Sequence, residues 1–561
     1  MSSSRKAPYP QEYSTSNKLG VLVVLFRFPW PPAFLATLVT MFLTAAYNHS
    51  LFSKLNERLA VFSWDGAGFV TTLFALMLML LSVPVLLFVP RFLLKAALIA
   101  LVMLSAGLSY FTQNLGIVFD MDMVRNLVET VRDQNQQEAR ELLSLPLILH
   151  LVLWGVLPSI IIALIPLQAA QKWWKSLGIR LIYTLILISI AVSLFVVNNK
   201  YATFFARENG DLKAYITPLF ALNSTYRYFN TFYAQQEQPF TVLGNDAHQQ
   251  KPTPRRTIGI MVVGETARAD HFSLNGYAQP TNPLLSKENL ISFQAVSSCG
   301  TSTAYSVPCI FSFLGQKDYS PETADKQSNS LDVLQKAGVK VVWIDNNSSC
   351  KGVCTRIENR NLLQQVNHSD DLYSDNGYYD EVMLNDLEHY LAGNQDVLIV
   401  LHTLGSHGPT YHKRYPAAFA QFQPYCKQDT PHACPQAEVI NAYDNTILYT
   451  DYVLSKTIQW LKTQSQQADT FLLYASDHGE SLGENGIYLH GLPYFLAPEA
   501  QTHIPMLLWL SESYRQQYPQ AWSTLQAKIN APLSHDNLSH SLLGLYAVQS
   551  HVYQSSLDLL R

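Results

Sequence analysis

Hydrophobic residues crowd the first 200 positions of this 561-residue chain. Five apolar segments stand out there, at about 31–48, 68–89, 92–110, 145–167 and 177–197. Each is long enough, or nearly so, to cross a hydrocarbon core about 30 Å thick as a helix. Lys95 and Arg180 lie near segment ends, where a long side chain reaches the interface while its methylenes stay in lipid. After residue 256 the pattern changes. Short apolar runs at 258–263, 339–344, 397–401, 470–475 and 505–510 alternate with stretches of helical period at 330–336, 378–391 and 437–462. Such alternation predicts an α/β domain with a mainly parallel sheet covered on both faces. In the last of these helices Ile440, Tyr443, Ile447, Leu454, Ile458 and Leu461 recur at helical spacing and read as core. The chain therefore divides into a five-helix transmembrane domain at 1–200, a tyrosine-bearing bridging linker at 201–255, and a domain of alternating strands and helices at 256–561.

Charge and cysteine placement orient these parts. The N-terminal stretch carries Arg5, Lys6, Lys18 and Arg27, and the second and fourth connections carry Arg91, Lys172 and Lys175. Lys and Arg mark the cytoplasmic side of short loops. The N-terminus is thus expected in the cytoplasm, with no cleaved signal peptide, and five crossings put the α/β domain outside. All six cysteines lie in that domain: Cys299, Cys309, Cys350, Cys354, Cys426 and Cys434. No CxxC occurs, and the spacings do not suit a zinc ribbon. Their closeness in pairs points to Cys299–Cys309, Cys350–Cys354 and Cys426–Cys434 disulfides in an oxidising compartment. The net charge of −4 argues against general nucleic-acid binding. The third connection, about 118–143, has the pattern of an amphipathic helix lying at the outer membrane face. It reads either as a spacer or as a holder of a lipid headgroup.

Chemistry gathers where apolar runs stop. The run at 470–475 ends in Asp477, His478 and Gly479, and His490 follows in a Gly-rich loop. The run at 258–263 ends in Gly264 and Glu265. Parallel sheets bind ligands outside the carboxyl ends of their strands. A carboxylate beside an imidazole suits a divalent metal, although each alone also fits a strand end or a salt-bridged acid. The stretch CGTSTAYSVPC, 299–309, offers Thr301, Ser302 and Thr303, which an adjacent metal can activate as a nucleophile. Spacing does not choose between Thr301 and Thr303. After two further runs come DNNSSCKGVC, with Asn346, Asn347 and Lys351, and HTLGSHGPTY, with His407. Together these groups suit metal-assisted phosphoryl or sulfuryl transfer.

The stretches GETARADHFSLNGYAQPTNP, CGTSTAYSVPC, DNNSSCKGVC, GSHGPTY and SDHGESLGENGIYLHG together resemble the phosphoethanolamine transferases that modify lipid A. These are membrane-anchored members of the alkaline phosphatase superfamily, associated with polymyxin resistance. The resemblance spans nearly the whole chain. It implies an alkaline phosphatase-like α/β domain and Thr303 as the nucleophile. It implies one tightly bound zinc held by Glu265, Thr303, Asp477 and His478. His407 and His490 match histidines assigned to a second zinc or to the substrate phosphate. Asn347 and Lys351 match residues near that phosphate. The family also carries an N-x-x-x-T-x-x-x-E pattern in the third connection. Here Asn126 and Thr130 fit it, whereas Glu138 comes late and Glu129 intrudes.

The resemblance further implies an inner-membrane enzyme with a periplasmic catalytic domain. Phosphatidylethanolamine would be the donor, a phosphate of lipid A the acceptor, and a threonine-linked phosphoethanolamine the intermediate. A monomer in contact with membrane lipid is expected. The runners-up are a related phosphoethanolamine or phosphoglycerol transferase acting on core sugar or periplasmic glucan, a sulfatase, and a catalytically silent receptor. A sulfatase would need a C-x-P-S-R motif, which is absent.

Overall fold

The computed structural model describes residues 28–59, 63–132, 143–169, 172–236, 239–364, 366–367, 370–374 and 377–561. The basic N-terminal residues and Glu138 lie outside that set. Chain contacts divide the molecule into two units. One comprises residues up to Tyr110 together with Pro146–Leu219; the other comprises Phe111–Leu145 and Phe220–Arg561.

The helices that organise the chain are α1 (Pro32–Ala46), α2 (Trp64–Phe88), α3 (Leu94–Asn114), α4 (Met121–Arg132), α5 (Leu145–Leu164), α6 (Trp173–Glu208), α7 (Leu219–Gln236), α8 (Thr303–Phe311), α9 (Ser330–Lys336) and α10 (Gln436–Gln464). Among the described residues four helices are long and apolar enough to cross a membrane: α2, α3, α5, and α6 through Asn198. The first of the five expected spans is shorter. α1 has 15 residues, which reach about 22 Å at 1.5 Å each. Nevertheless α1 belongs to the same bundle. Its Leu35, Val39 and Leu43 are buried with Leu81 and Val85 of α2, Leu98 and Val102 of α3, and Ile162 of α5. Lipid offers no hydrophobic drive between helices, so packing and polar contacts hold them. The buried hydroxyls of Thr40 and Ser82, 2.5 Å apart, are one such contact.

The third connection, placed with the membrane domain by the sequence, clusters with the second unit. α4 is tied there by an Arg125–Glu322 ion pair that is almost fully buried. Arg125 also lies over the Tyr228 ring of α7.

The second unit is built on a seven-stranded sheet. Its strands are β1 (Thr257–Gly264), β2 (Leu290–Phe293), β3 (Lys340–Asp345), β4 (Glu358–Asn361), β5 (Val397–His402), β6 (Asp469–Ser476) and β7 (Met506–Leu510). They lie in the order β2-β7-β6-β1-β5-β3-β4. β6, β1, β5, β3 and β4 run parallel; β7 runs against both β6 and β2. Successive side chains of a strand point to opposite faces. Met261 and Val263 therefore join one core with Trp343, Val400 and Leu473, while Ile260 and Val262 join the other with Ile344, Ile399 and Leu472. Burial on both faces is why these strands read as continuous apolar runs.

The helix expected at 378–391 does not form. Two short 3-10 turns, Asp380–Leu384 and Leu387–Leu391, take its place. Asp386 between them has φ 63°, a left-handed conformation that ends any α-helix there. The Asp380 carboxylate is instead an anchor, accepting hydrogen bonds from Leu404 N, Gly405 N and Asn346 Nδ2, each at 2.8 Å.

All six cysteines pair, as Cys299–Cys309, Cys350–Cys354 and Cys426–Cys434. Fully buried His535 links the first disulfide loop to the sheet. Cys299 N donates to its Nδ1 at 3.0 Å, and its Nε2 lies 2.9 Å from Ser476 O at the end of β6. These partners require the neutral ring with its proton on Nε2. Burial pushes its pKa down to about 4. A histidine in the unfolded chain titrates near 6.5. The unfolded chain then binds the proton more readily between those values, so stability is full above about pH 6.5 and is lost as pH falls toward 4. The loss amounts to about 3 kcal/mol. Thermal unfolding midpoints measured across this window are expected to fall more steeply for the wild type than for His535→Gln, and equal slopes would exclude His535 as the source.

Candidate metal centre at the strand tips

Register brings the first ligands together. Gly264 of β1 pairs with Ser476 of β6, so Glu265 and Asp477 leave adjacent parallel strands side by side. Asp477 N donates to Gly264 O at 2.9 Å, extending the ladder by one residue. Beyond Glu265, Thr266 takes a left-handed φ of 51° and turns the chain back. A β-branched residue there is strained, a feature of sites that fix side-chain direction. Glycine is required at Gly405, with φ 51°, because a Cβ would sit 2.8 Å from Glu265 O.

Thr303 reaches the same point from another element. Ser302 is the extended N-cap of α8 and Thr303 its first residue. The Thr303 hydroxyl lies 3.2 and 3.1 Å from the two Glu265 oxygens and 3.4 Å from His478 Nε2. His478 Nε2 is also 3.5 Å from Glu265 Oε1 and 3.3 Å from Asp477 Oδ2. All four residues are buried, with Glu265 at 1 % exposure and Asp477 and His478 at 0 %.

Thr301, which the sequence left equivalent to Thr303, faces elsewhere. Its hydroxyl donates to Leu492 O at 2.6 Å, and its carbonyl accepts from Gly491 N at 2.8 Å. It ties the loop of His490 to the loop of Thr303.

The electrostatics call for a cation. Burial, reinforced by Asp477, pushes the Glu265 carboxyl well above its ordinary range. Burial pushes Asp477 up to about 6. Burial also holds His478 well below an ordinary histidine, which keeps the ring neutral. Its Nδ1 lies 2.9 Å from Gly479 O, so Nδ1 carries the proton and Nε2 faces the cluster as a bare lone pair. Asp477 Oδ1 accepts from Thr266 N at 3.1 Å and His478 N at 2.8 Å, whereas its buried Oδ2 makes no hydrogen bond. An unsatisfied buried carboxylate oxygen beside a second carboxylate and an unprotonated imidazole nitrogen is costly as it stands. A divalent cation offsets that cost, and the oxygen and nitrogen donors suit zinc.

Asn347 stands behind Glu265. Its Nδ2 donates to Glu265 Oε2 at 2.7 Å and to Thr403 O at 2.9 Å. Asp345 at the tip of β3 orders it by accepting Asn347 N at 2.8 Å. Asn346 points away, to Asp380. Buried Lys351 has a left-handed φ of 49°, and its Nζ lies 4.0 Å from Glu129 of α4. His407 and His490 bring ligand atoms within 4.8 Å of one another and of Glu265. Their rings are 5.6 Å apart, and the His478 and His490 rings 4.4 Å. Asn126 is half-buried on α4 and makes no hydrogen bond to this cluster. The Glu129 that interrupts the expected third-connection pattern is the α4 carboxylate that reaches Lys351.

Sequence reasoning passed over two residues here. Glu480 is fully buried, and Tyr411 donates its hydroxyl to Glu480 Oε1 at 2.7 Å. Only the proximity of Glu480 to Asp477 and His478 in the chain could have singled it out.

Residues 73–233 match the family described as phosphoethanolamine transferase EptA/EptB, and residues 258–548 match the Sulfatase family. Phosphoethanolamine transferase EptA of Escherichia coli K12 is 40 % identical over 472 residues, covering 82 % of this chain and 84 % of that protein. The chain belongs to the phosphoethanolamine transferase family. Phosphatidylethanolamine transferase Mcr-1 of Escherichia coli is 38 % identical over 540 residues, covering 94 % of this chain and 96 % of that protein. Among solved structures, the integral membrane lipooligosaccharide phosphoethanolamine transferase A of Neisseria meningitidis superposes with a TM-score of 0.87 at 32 % identity, covering 94 % of this chain and 97 % of that one. Family membership makes the chain an enzyme, a phosphoethanolamine transferase.

Asp477→Ala and His478→Ala should each lose the tightly held metal, read by elemental analysis of the purified protein, while both still insert in the membrane. Full metal content in the two variants would remove these residues from the ligand set.

Proposed function

We propose that this enzyme transfers phosphoethanolamine from phosphatidylethanolamine to a phosphate of lipid A by way of Thr303. The supporting observation is the contrast between the two threonines. Thr303 alone points its hydroxyl at Glu265 and His478, and Thr301 is occupied by Leu492 O. Bound by Glu265, Asp477, His478 and Thr303, zinc would lower the pKa of the hydroxyl and offset charge on the transferring group.

The chain's own residues then do the following. Thr303 Oγ1 forms a bond to the donor phosphorus, and the bond from phosphorus to the diacylglycerol oxygen breaks. The proton given up by the Thr303 hydroxyl balances the one taken by that oxygen, so diacylglycerol leaves as its alcohol and phosphoethanolamine stays on Thr303. An acceptor phosphate oxygen next bonds to the same phosphorus, and the Thr303 oxygen leaves. The first-turn N–H groups of α8 favour the anionic oxygens throughout. Asn347 holds Glu265 in place, and Lys351 supplies positive charge for the phosphate. His407 and His490, whose ligand atoms lie within 4.8 Å of each other and of Glu265, serve as ligands of a second zinc or as partners of the phosphate. Burial, with His490 adding to it, holds His407 well below an ordinary histidine, so its ring stays neutral.

We further infer a multi-pass protein of the bacterial inner membrane with this domain in the periplasm. Three disulfides in one unit suit that compartment. An odd number of crossings, with α1 as the fifth, agrees with the basic N-terminal stretch. Modified lipid A carries less net negative charge, so polymyxins and cationic peptides bind it less well.

Thr303→Ala should abolish both lipid A modification and diacylglycerol release, because the first half-reaction needs the nucleophile. Intact-mass analysis of wild-type protein incubated with donor alone should find the adduct on Thr303. Thr301→Ala should keep measurable turnover, reduced through loosening of the His490 loop. An adduct on Thr301, or wild-type diacylglycerol release by Thr303→Ala, would overturn the assignment.

A further inference from the structure

One flank of α8 borders a cavity of about 150 Å³ that none of the metal-cluster residues lines. It is about ten times the space a single water needs. α4 lines it with Arg125, α7 with Tyr228 and Phe232, and the loop after α8 with Lys326 and Gln327. Asn126, through which the family resemblance would bring α4 to lipid, is not part of the wall.

Five cations and three carboxylates line the space. Two of the carboxylates are met within it, Glu322 by Arg125 and Glu129 by Lys351 at 4.0 Å. The third, Asp325, is exposed, where solvent screens it. Arg356 turns to Asp332, with Nε at 2.9 Å and Nη2 at 2.7 Å from its oxygens. Lys326 has no carboxylate partner among the described residues. Two further donors lack acceptors. Arg125 is 7 % exposed and is held by Glu322 and by the Tyr228 ring at 5.7 Å, yet its Nε makes no hydrogen bond. The buried Nε2 of Gln327 makes none either. A buried N–H without an acceptor is costly. A phosphate group, which offers acceptor oxygens on several sides, suits guanidinium, amide and ammonium donors together.

The rim bears on what carries that phosphate. Leu222, Tyr226, Phe229 and Tyr233 recur at helical spacing on α7 and are 40 to 70 % exposed. Phe232, a lining residue that is 42 % exposed, neighbours Phe229 one turn earlier. Exposed aromatic rings on one helix face suit the headgroup level of a bilayer.

We propose that this cavity is an anion site apart from the reacting centre, which holds the phosphate of a lipid headgroup on Arg125, Gln327 and Lys326 while the acyl chains lie along the aromatic face of α7. No bond to phosphorus is made or broken there. The site stands whether or not Thr303 is the nucleophile.

The test is isothermal titration calorimetry of the full-length protein as purified, in detergent. The probes are dihexanoyl phosphatidic acid, dihexanoylglycerol and inorganic phosphate. Wild type should bind the phosphatidic acid in two classes, one at the metal cluster and one in the cavity. Lys326→Gln and Gln327→Leu should each weaken one class about tenfold, leaving the other class, the metal content and the thermal midpoint unchanged. Inorganic phosphate should fill the affected class at least about tenfold more weakly, and dihexanoylglycerol should not fill it. A single class in wild type, or affinities within about twofold of wild type in both variants, overturns the proposal. So does an equal loss in both classes with a lower thermal midpoint, which would mean packing alone. Inorganic phosphate bound as tightly as phosphatidic acid would overturn the lipid assignment. Dihexanoylglycerol bound as tightly would overturn the anion site.

Discussion

Two carboxylates held out of water, side by side, set the terms for the rest of this unit. Glu265 and Asp477 stand at the tips of neighbouring parallel strands because β1 and β6 pair in register to their last residues. Neither can move away without breaking that ladder. Neither is solvated, and the Asp477 oxygen facing the cluster lacks any hydrogen bond. A site so arranged is poorly stable until a positive charge enters it. The surrounding structure follows from this need: a neutral imidazole that offers a lone pair, a hydroxyl at the start of a helix, and an amide donor behind Glu265. Metal affinity and fold geometry are thus two aspects of one constraint.

Much of this was legible in the sequence, for identifiable reasons. Strands buried on both faces appear as apolar runs, and polar residues at their ends mark the binding edge. Glu265, Asp477 and His478 could be read that way. β2 and β4 were missed. They are edge strands with partly exposed residues, so no apolar run announces them. The helix expected at 378–391 failed because Asp380 binds backbone amides more than twenty residues away and Asp386 turns left-handed. Such contacts leave no local period. Hydropathy found α1 but not its length relative to a bilayer.

The site was less legible where residue type stayed constant and only direction differed. Thr301 and Thr303 are chemically alike, and the extended Ser302 between them precedes the helix that aims Thr303. Glu480 carries the same carboxylate as Glu265 in a comparable environment, yet it faces Tyr411 and His490. Tyr411 comes from a loop after β5, and no spacing in the chain connects the two. Side chains that reach the site through one intervening residue have no signature of their own in a single sequence.

The bond between Thr301 and the His490 loop has a mechanical consequence. Two hydrogen bonds join these loops, one through the Thr301 hydroxyl and one between main-chain groups of Thr301 and Gly491. The Cys299–Cys309 crosslink closes the first loop over the start of α8. The segment that carries Thr303 and the segment that carries His490 are therefore fastened together as a single leaf. A molecule wedged between them would displace Thr303 and His490 at once. Escape by substitution would be difficult, because one of the two fastenings belongs to the backbone, which no exchange of side chains removes.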